Sequence, residues 1–264
     1  MRLTIIGGGV MGEAILAPAL ARGLVGPGDV TVCEIVEKRR NDLHARHGVH
    51  TTPDAAEAMS DADIVLLSVK PQEVASVRGT LRPDALLVSI MAGVRVASLE
   101  REFNHSRIIR VMPNTPAAAG AAMSVWTATA AVDSDQRDLA RGLLASIGRE
   151  LYVDDEKKVD MATAVSGSGP GYVYLFMEAL VEGAVSIGLS RAQAEEMVIQ
   201  TVLGSALYAQ ESGITPAELR AMVTSPAGTT AAGLLELEKG AVRASVIECV
   251  RAAHRRAIEL GGPA

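Results

Sequence analysis

Short apolar runs alternate with segments of helical periodicity through residues 1–155, and this alternation limits the possible folds more than any other feature of the 264-residue chain. Several runs are continuously apolar, which is typical of strands buried on both faces of a parallel sheet. The runs lie at residues 3–6, 30–33, 64–69, 86–90, 108–112, 123–126 and 151–153. The helical candidates lie at residues 11–22, 37–47, 71–81 and 134–147. This order predicts an α/β doubly wound sheet.

The pattern changes after residue 155, where strand patterns stop and only helical stretches follow. These stretches lie at residues 169–187, 191–212, 216–223, 230–239 and 242–260. Ser190 precedes the second stretch as an N-cap, and Thr215 with Glu218 forms a capping box around the start of the third. We therefore expect two domains, an α/β domain at 1–155 and an all-helical domain at 156–264.

Composition excludes several classes of function. The net charge is −6 and aromatic residues make up only 3% of the chain, whereas nucleic-acid binding needs a basic patch and often stacking aromatics. No apolar stretch approaches the length of a membrane span. Two lone cysteines, Cys33 and Cys249, are typical of a reducing compartment. We expect a cytoplasmic protein without nucleic-acid or membrane partners.

A metal site is not expected either. His44, His47 and His50 recur at intervals of three, but no cysteine or carboxylate completes a ligand set beside them.

The strongest local signal is a G-x-G-x-x-G motif at Gly7, Gly9 and Gly12, between the first apolar run and the first helical pattern. In a dinucleotide-binding fold, the first glycine makes a tight turn, the second lets a pyrophosphate approach the backbone, and the third allows close helix–sheet contact. The phosphates would rest on the first helical turn, where Val10 and Met11 lie. The motif predicts a nicotinamide dinucleotide cofactor.

Glu34 follows the second apolar run at the distance where this fingerprint expects an acidic residue. A carboxylate there hydrogen-bonds the adenosine ribose 2′-OH and repels a 2′-phosphate, which favours NAD over NADP. Lys38, Arg39 and Arg40 lie shortly downstream and could instead reach a 2′-phosphate.

Ligands of doubly wound sheets bind at the carboxyl ends of the strands. Small or proline-bearing segments follow three predicted strands, at 68–72, 89–93 and 111–116. The cofactor-side candidates in these segments are Ser68, Val69, Lys70, Pro71, Ala92, Gly93 and Asn114.

Two glycine-rich breaks in the helical half, at 166–171 and 224–230, precede helices and would present N–H groups and hydroxyls to an anion. We expect them to capture a small carboxylate, with Ser168 in the first break.

The chain resembles the pyrroline-5-carboxylate reductase family over essentially its whole length. The resemblance rests on the motifs at 6–12, 69–72, 110–116 and 164–170, and most specifically on the Ser-Pro-x-Gly-x-Thr block within 216–238. It implies a Rossmann-type domain followed by an all-helical dimerisation domain, with the active site between them. It also implies reduction of 1-pyrroline-5-carboxylate to L-proline, the last step of proline biosynthesis, by a homodimer or a higher homo-oligomer. The usual cofactor of the family is NADP.

Residue by residue, the resemblance implies that Thr230 hydrogen-bonds the substrate ring nitrogen. Ser225, Gly228 and Thr229 match the loop around the substrate carboxylate. The segments 69–71 and 92–93 match cofactor-lining segments. The departures from the family pattern are Ala55, Ala221, Met222, Ala227 and, on the cofactor side, Glu34.

Two other classes of protein remain open at this point. A β-hydroxyacid dehydrogenase shares the two-domain plan but needs a lysine early in the helical domain, and none occurs between Lys158 and Lys239. A non-catalytic nucleotide sensor on the same scaffold would not need Thr230 and its loop.

Overall fold

Eight strands form one sheet in the computed structural model, which describes residues 1–262. The strands are β1 Leu3–Ile6, β2 Val30–Cys33, β3 His50–Thr52, β4 Ile64–Leu67, β5 Leu86–Ser89, β6 Ile108–Met112, β7 Ala122–Ala128 and β8 Gly148–Tyr152. Their order in the sheet is β3-β2-β1-β4-β5-β6-β7-β8. The strands from β1 to β6 are parallel, β7 runs antiparallel to β6, and β8 pairs parallel with β7.

The strand order reverses at β1, which lies between β2 and β4, with Leu3 paired to Val30 on one side and to Ile64 on the other. This is the switch point of a doubly wound sheet, where loops from the two halves diverge and leave a crevice. The predicted α/β doubly wound fold is therefore confirmed, and the fingerprint glycines follow β1 directly.

The α-helices of the described residues are α1 Val10–Ala21, α2 Glu37–His47, α3 Ala55–Met59, α4 Val96–Phe103, α5 Ser134–Ala145, α6 Glu156–Ala162, α7 Gly169–Ser186, α8 Arg191–Ser212, α9 Pro216–Met222, α10 Thr229–Lys239 and α11 Val242–Leu260. Helices cover the sheet on both faces. One buried cluster includes Ile15 of α1 and Leu144 of α5, and the other includes Met59 of α3 and Leu99 of α4. Strand residues point alternately into the two clusters, which explains why the runs are continuously apolar.

Two predictions from the sequence were wrong. The third strand was missed because His50–Thr52 is short, polar and partly exposed at the edge of the sheet. The predicted helix at 71–81 is only a 3-10 turn over Pro71–Ser76. Beyond that turn Val77 takes an extended conformation and is buried beside Leu81, so tertiary burial replaces the expected helical periodicity.

Contacts divide the chain into two compact units. The first contains Met1–Ser168 together with the C-terminal stretch that begins at Ala252, and the second contains Gly169–Arg251. Helix α6 packs against β6 and β7 and so groups with the first unit. The domain boundary expected after residue 155 stays a prediction.

The second unit is wholly helical and buries little of its own apolar surface. Helices α7 and α8 pair around a small cluster of Val181, Ala194 and Val198. Large apolar side chains stay open elsewhere in the unit, including Leu175 and Ile187, which are 67% and 83% exposed. Where exposed apolar side chains of this size adjoin one another, they mark an interaction face.

The predicted helix starts in the second unit are confirmed. The Ser190 hydroxyl caps α8, and Thr215 and Glu218 form a reciprocal capping box at α9. Among residues 1–262, no helix combines the length and apolar character needed to cross a bilayer.

Candidate active site

The glycine turn joins the ends of β1 and β4 at the switch point. Gly7 has φ +101, and a Cβ atom there would lie 2.9 Å from the carbonyl group of Ser68. The Ser68 hydroxyl donates to the Gly7 carbonyl at 2.5 Å, and the Ser68 N–H donates to the Ile6 carbonyl at 2.8 Å. Only a residue without a side chain permits this positive φ together with so close an approach.

The other two glycines of the motif differ in their surroundings. A Cβ atom on Gly12 would lie 2.3 Å from the Gly7 carbonyl oxygen, so α1 starts in direct contact with the turn. A Cβ atom on Gly9 would meet nothing within 4 Å. Gly9 is the N-cap of α1, and the first-turn N–H groups of Val10 and Met11 have no carbonyl partner within the helix. An open, positively polarised helix start is what a pyrophosphate requires.

Glu34 lies directly after β2, and its carboxylate is fixed against the glycine turn. The Gly8 N–H donates to Oε2 at 3.1 Å, and the Val36 N–H donates to Oε1 at 2.9 Å. Each carboxylate oxygen keeps a further lone pair for a ligand. The carboxylate is therefore held in one place beside the glycine turn, and its expected contact with an adenosine ribose stays a prediction.

The two arginines downstream of Glu34 are already engaged. Arg39 donates to the Gly8 carbonyl at 2.6 Å and to Glu13 at 2.7 Å. Arg40 donates to the Glu34 carbonyl at 2.7 Å. Burial alone would raise the pKa of Glu13, but hydrogen bonds from His47 and Arg39 and the arginine charges outweigh it, so that pKa lies below its ordinary value. Glu13 is therefore a stable anionic partner for Arg39.

A cavity of about 840 Å³ opens beside these groups, within the volume range of small-molecule sites. Its lining includes Gly7, Gly9, Glu34, Ala55, Ser68 and Lys70. The apolar side chain of Ile35 also lines it and is 81% exposed. Cys33 lies at the same wall, where burial raises the pKa of its thiol to about 11, so it stays protonated near neutral pH. The wall offers aliphatic contacts rather than aromatic stacking for an adenine ring.

The C-terminal end of α11 packs against the loop that follows β5. Gly93 has φ +75, and a Cβ atom on it would lie 3.0 Å from the Leu260 Cβ. Ala92 is half-buried in the same loop. On the neighbouring loop, Val69 is half-buried, Lys70 is exposed, and Pro71 begins the 3-10 turn. The cofactor roles expected for these loop residues stay predictions.

Asn114 uses both of its side-chain polar atoms within the fold. Its Oδ1 accepts from the Met123 N–H at 2.9 Å, and its Nδ2 donates to the Ser166 carbonyl at 3.0 Å. The side chain thus joins the end of β6 to β7 and to the segment that precedes α7. These contacts point to a structural bracket, although the expected cofactor contact stays a prediction.

The segment 166–171 is not the open break that the sequence indicated. Thr163–Gly167 forms a π-helical turn between α6 and α7, and the Ser168 N–H donates to the Thr163 carbonyl at 2.8 Å. The Ser168 N–H is therefore already used, and only its hydroxyl remains for a ligand. Short π-helical turns occur often at functional sites.

The second predicted anion site lies in the second unit, at the start of α10. Gly228 is the N-cap and supplies no side-chain cap. Within the described part of the chain, the hydroxyls of Ser225, Thr229 and Thr230 make no hydrogen bond. Ala227 has φ +57, a left-handed conformation that favours glycine and explains why glycine is usual here in the family that the chain resembles.

The structure thus gathers Gly7, Gly9, Glu34 and Ser68 at one cavity of the first unit, while Ser225 to Thr230 form a separate loop in the second. A buried ion cluster was missed: Arg110 of β6 contacts Glu156 at 2.9 Å and Asp160 at 2.6 Å. An arginine inside an apolar strand run was the available signal. Among residues 1–262, no group of three or more His, Cys, Asp or Glu side chains is arranged to hold a metal ion.

A doubly wound sheet with an open glycine turn after its first strand and a carboxylate directly after its second strand is typical of nicotinamide dinucleotide-binding proteins of the Rossmann class. Residues 2–93 match the family model for coenzyme F420-dependent NADP oxidoreductases. Residues 156–260 match the family model for the dimerisation domain of pyrroline-5-carboxylate reductase. The chain belongs to the pyrroline-5-carboxylate reductase family.

Full-length relatives support this assignment. The chain is 44% identical to a pyrroline-5-carboxylate reductase from Synechocystis, with 99% of this chain and 98% of the relative covered. It is 38% identical to the one from Escherichia coli, with 94% of each covered.

Solved structures support the same family assignment. The reductase from Coxiella burnetii superposes with a TM-score of 0.90 at 35% identity and 99% coverage of both chains. The Plasmodium falciparum enzyme with NADP bound gives 0.89 at 30% identity, covering 99% of this chain and 98% of that one. A reductive aminase from Aspergillus terreus, at 18% identity and a TM-score of 0.62, shares the fold alone.

Proposed function

We propose that this chain reduces 1-pyrroline-5-carboxylate to L-proline. The reaction adds a hydride to the imine carbon and a proton to the ring nitrogen, so that the C=N double bond becomes a C–N single bond. A reduced nicotinamide cofactor supplies the hydride when it is bound. The observation that carries the proposal is the loop before α10, where unpaired hydroxyls and an uncapped helix start lie together in a chain of this family.

The start of α10 suits the substrate carboxylate. Helix N-termini attract anions because their first N–H groups lack partners and the helix dipole is positive there. Gly228 leaves these N–H groups uncapped, and the neighbouring Ser225 and Thr229 hydroxyls can donate to the same anion. We assign these three residues to carboxylate binding.

Thr230 is the second residue of α10 and is half-buried, so its side chain has limited freedom to move but remains accessible to a ligand. We assign it the hydrogen bond to the ring nitrogen. No general acid is required in this scheme, because a cyclic imine can take its proton from water. The protein's contribution is then mainly positioning, which supplies at most about 7–11 kcal/mol of barrier reduction.

Removing the Thr230 hydroxyl tests this role. Thr230→Ala should lower kcat/KM for pyrroline-5-carboxylate about tenfold to a few hundredfold, which corresponds to about 1–3 kcal/mol for one hydrogen bond. Thr230→Ser is the matched control, because it keeps the hydroxyl and should keep most of the activity. Steady-state cofactor oxidation monitored at its nicotinamide absorbance measures both. Unchanged kinetics in the alanine variant would remove Thr230 from the mechanism.

We further propose that NADH is preferred over NADPH. The Glu34 carboxylate is fixed by two backbone N–H groups, while Arg39 already pairs with Glu13 and Arg40 already donates to the Glu34 carbonyl. A 2′-phosphate would meet a fixed negative charge, and two unit charges 4 Å apart repel by roughly 1–4 kcal/mol between bulk water and a protein surface. The Plasmodium falciparum reductase has NADP bound, so the proposed preference would distinguish this chain from that relative.

The ratio of kcat/KM for NADH to that for NADPH tests this preference. Glu34→Gln keeps a hydrogen-bond acceptor but removes the charge, and should shift the ratio toward NADPH about tenfold or more. Glu37→Gln removes a charge from the exposed first residue of α2 and should leave the ratio nearly unchanged. A wild-type protein that prefers NADPH by more than tenfold would contradict the proposal.

We also propose that two chains associate through the helical unit. Exposed apolar side chains on α7, on α8 and in the turn between them, including Leu175, Leu203 and Ile187, need a covering surface, and the family model that matches this region is a dimerisation domain. Sedimentation velocity at micromolar concentration should give a dimer or a multiple of it. A monomer under these conditions would contradict the proposal.

A further inference from the structure

Pro170 creates a specific problem in the turn between α6 and α7. In an α-helix the carbonyl of Ser166 would accept from the N–H of residue 170, but proline has no N–H. A half-buried carbonyl without a donor is costly, so a partner is needed from elsewhere in the fold.

Asn114 supplies that partner. Its Nδ2 donates to the Ser166 carbonyl at 3.0 Å, across 52 residues of sequence. Its Oδ1 is held in turn by the Met123 N–H at 2.9 Å, so the amide cannot rotate away without losing a second bond. The Asn114 side chain thus forms a bracket: it is held by the backbone of β7 through Met123 and donates to the π-helical turn through Ser166.

The neighbouring contacts show that the turn depends on this outside support. The Ser168 N–H closes a wide i→i−5 bond to the Thr163 carbonyl at 2.8 Å. A Cβ atom on Gly167 would lie 2.6 Å from the Met112 Cε, so β6 also presses against the turn through Met112. Two residues at the end of β6 therefore determine where Ser168 is placed.

We infer that Asn114 is a positioning residue for the substrate side of the reaction, acting through the π-helical turn Thr163–Gly167 to place the Ser168 hydroxyl. The inference deepens the proposed function and rests on it, because it takes Ser168, which the sequence predicts to bind a small carboxylate, as a substrate contact in that reaction. It differs from the cofactor contact expected from the sequence, since both polar atoms of Asn114 point to backbone groups rather than to open space.

Asn114→Asp is the sharpest test. The aspartate keeps the oxygen that accepts from Met123 but replaces the donor to Ser166 with a second acceptor. We expect KM for pyrroline-5-carboxylate to rise about tenfold, the scale of one lost hydrogen bond. KM for NADH should change less than twofold. Asn41→Asp, on the exposed surface of α2, adds the same charge and should leave both KM values unchanged.

Two further measurements separate this inference from the proposed function and from misfolding. Hydrogen exchange of the amides at 163–168 should become faster in Asn114→Asp than in the wild type, a result that needs no enzymatic activity. Gly167→Ala is a milder disturbance of the same turn, because its Cβ would meet only the flexible end of Met112 at 2.6 Å, and should raise the substrate KM less than Asn114→Asp does. If the wild type does not reduce pyrroline-5-carboxylate, the proposed function fails while the exchange result still tests the bracket.

Three outcomes would overturn the inference. A rise in KM for NADH instead of the substrate would assign Asn114 to the cofactor. Unchanged kinetics in Asn114→Asp would show that the bracket has no role in the reaction. Unchanged exchange at 163–168 would show that the turn holds its place without the Asn114 amide.

Discussion

Gly12→Ala should remove most cofactor binding and destabilise the first unit. The new Cβ would lie 2.3 Å from the Gly7 carbonyl oxygen and 2.8 Å from the Ser68 Oγ. The nearest atom is backbone and cannot rotate away, so α1 must move off the glycine turn. Overpacking of this kind costs typically 1–3 kcal/mol and sometimes more, and here we expect about 3 kcal/mol.

A shifted α1 also moves the N–H groups that would hold the pyrophosphate. We therefore expect KM for NADH to rise about a hundredfold, together with a lower Tm. Two glycine variants serve as controls. A Cβ atom on Gly28 would meet nothing within 4 Å, so Gly28→Ala should change neither KM for NADH nor Tm. A Cβ atom on Gly9 has equally open space in the protein but would lie where the pyrophosphate approaches, so Gly9→Ala should weaken NADH binding without lowering Tm. A Gly12→Ala protein with wild-type KM and Tm would show that the close contact has no energetic role.

Asp160→Ala should lower the free energy of unfolding by about 3 kcal/mol, because it removes the closer and more buried of the two carboxylates that neutralise the buried Arg110. The Arg110 side chain is only 1% exposed and donates to Asp160 at 2.6 Å and to Glu156 at 2.9 Å. Glu156 also accepts from the Val96 N–H at the start of α4. The cluster therefore joins β6, α4 and α6, and Arg110 precedes Asn114 by four residues along the chain.

Denaturant unfolding at a fixed protein concentration measures this effect. Asp154→Ala is the control, because the Asp154–Lys158 pair is exposed and such pairs contribute about 0–1 kcal/mol. If Asp160→Ala lowers the free energy of unfolding by less than about 1 kcal/mol, the buried cluster stabilises the fold no more than an exposed ion pair does. The comparison tests the effect of burial, since each variant removes an aspartate in or next to α6 that contacts a cation, but only the Asp160 pair is buried.

Much of the fold was predictable because its signals are local. A continuous apolar run followed by three spaced glycines predicted β1, the turn and α1, and the structure has all three. Caps at Ser190 and Thr215 predicted two helix starts to the residue. In each case a side chain satisfies backbone groups within a few positions of itself, so neighbouring residues contain the information.

Where local patterns and burial disagreed, the prediction failed. Residues 71–81 have a helical pattern, but the burial of Val77 and Leu81 in an extended segment prevents the helix. The strand His50–Thr52 is polar, so no apolar run in the sequence indicates it. The break at 166–171 contains residues typical of a loop, yet most of it belongs to a π-helical turn and to the start of α7, and Asn114 donates to the Ser166 carbonyl from 52 residues away. These outcomes depend on partners that the local pattern does not contain.

The sequence by itself determined the class of fold, the glycine turn, the helical second half and the family, because periodicity and short motifs are read within a few residues. Only the tertiary structure decided how Glu34 is fixed by Gly8, how Arg110 is neutralised by Asp160, and which carbonyl Asn114 supports. These pairs are separated by 26, 50 and 52 residues. Their contacts exist only after the sheet has formed, because strand order and helix packing bring distant polar groups together, and burial then requires each to find a partner.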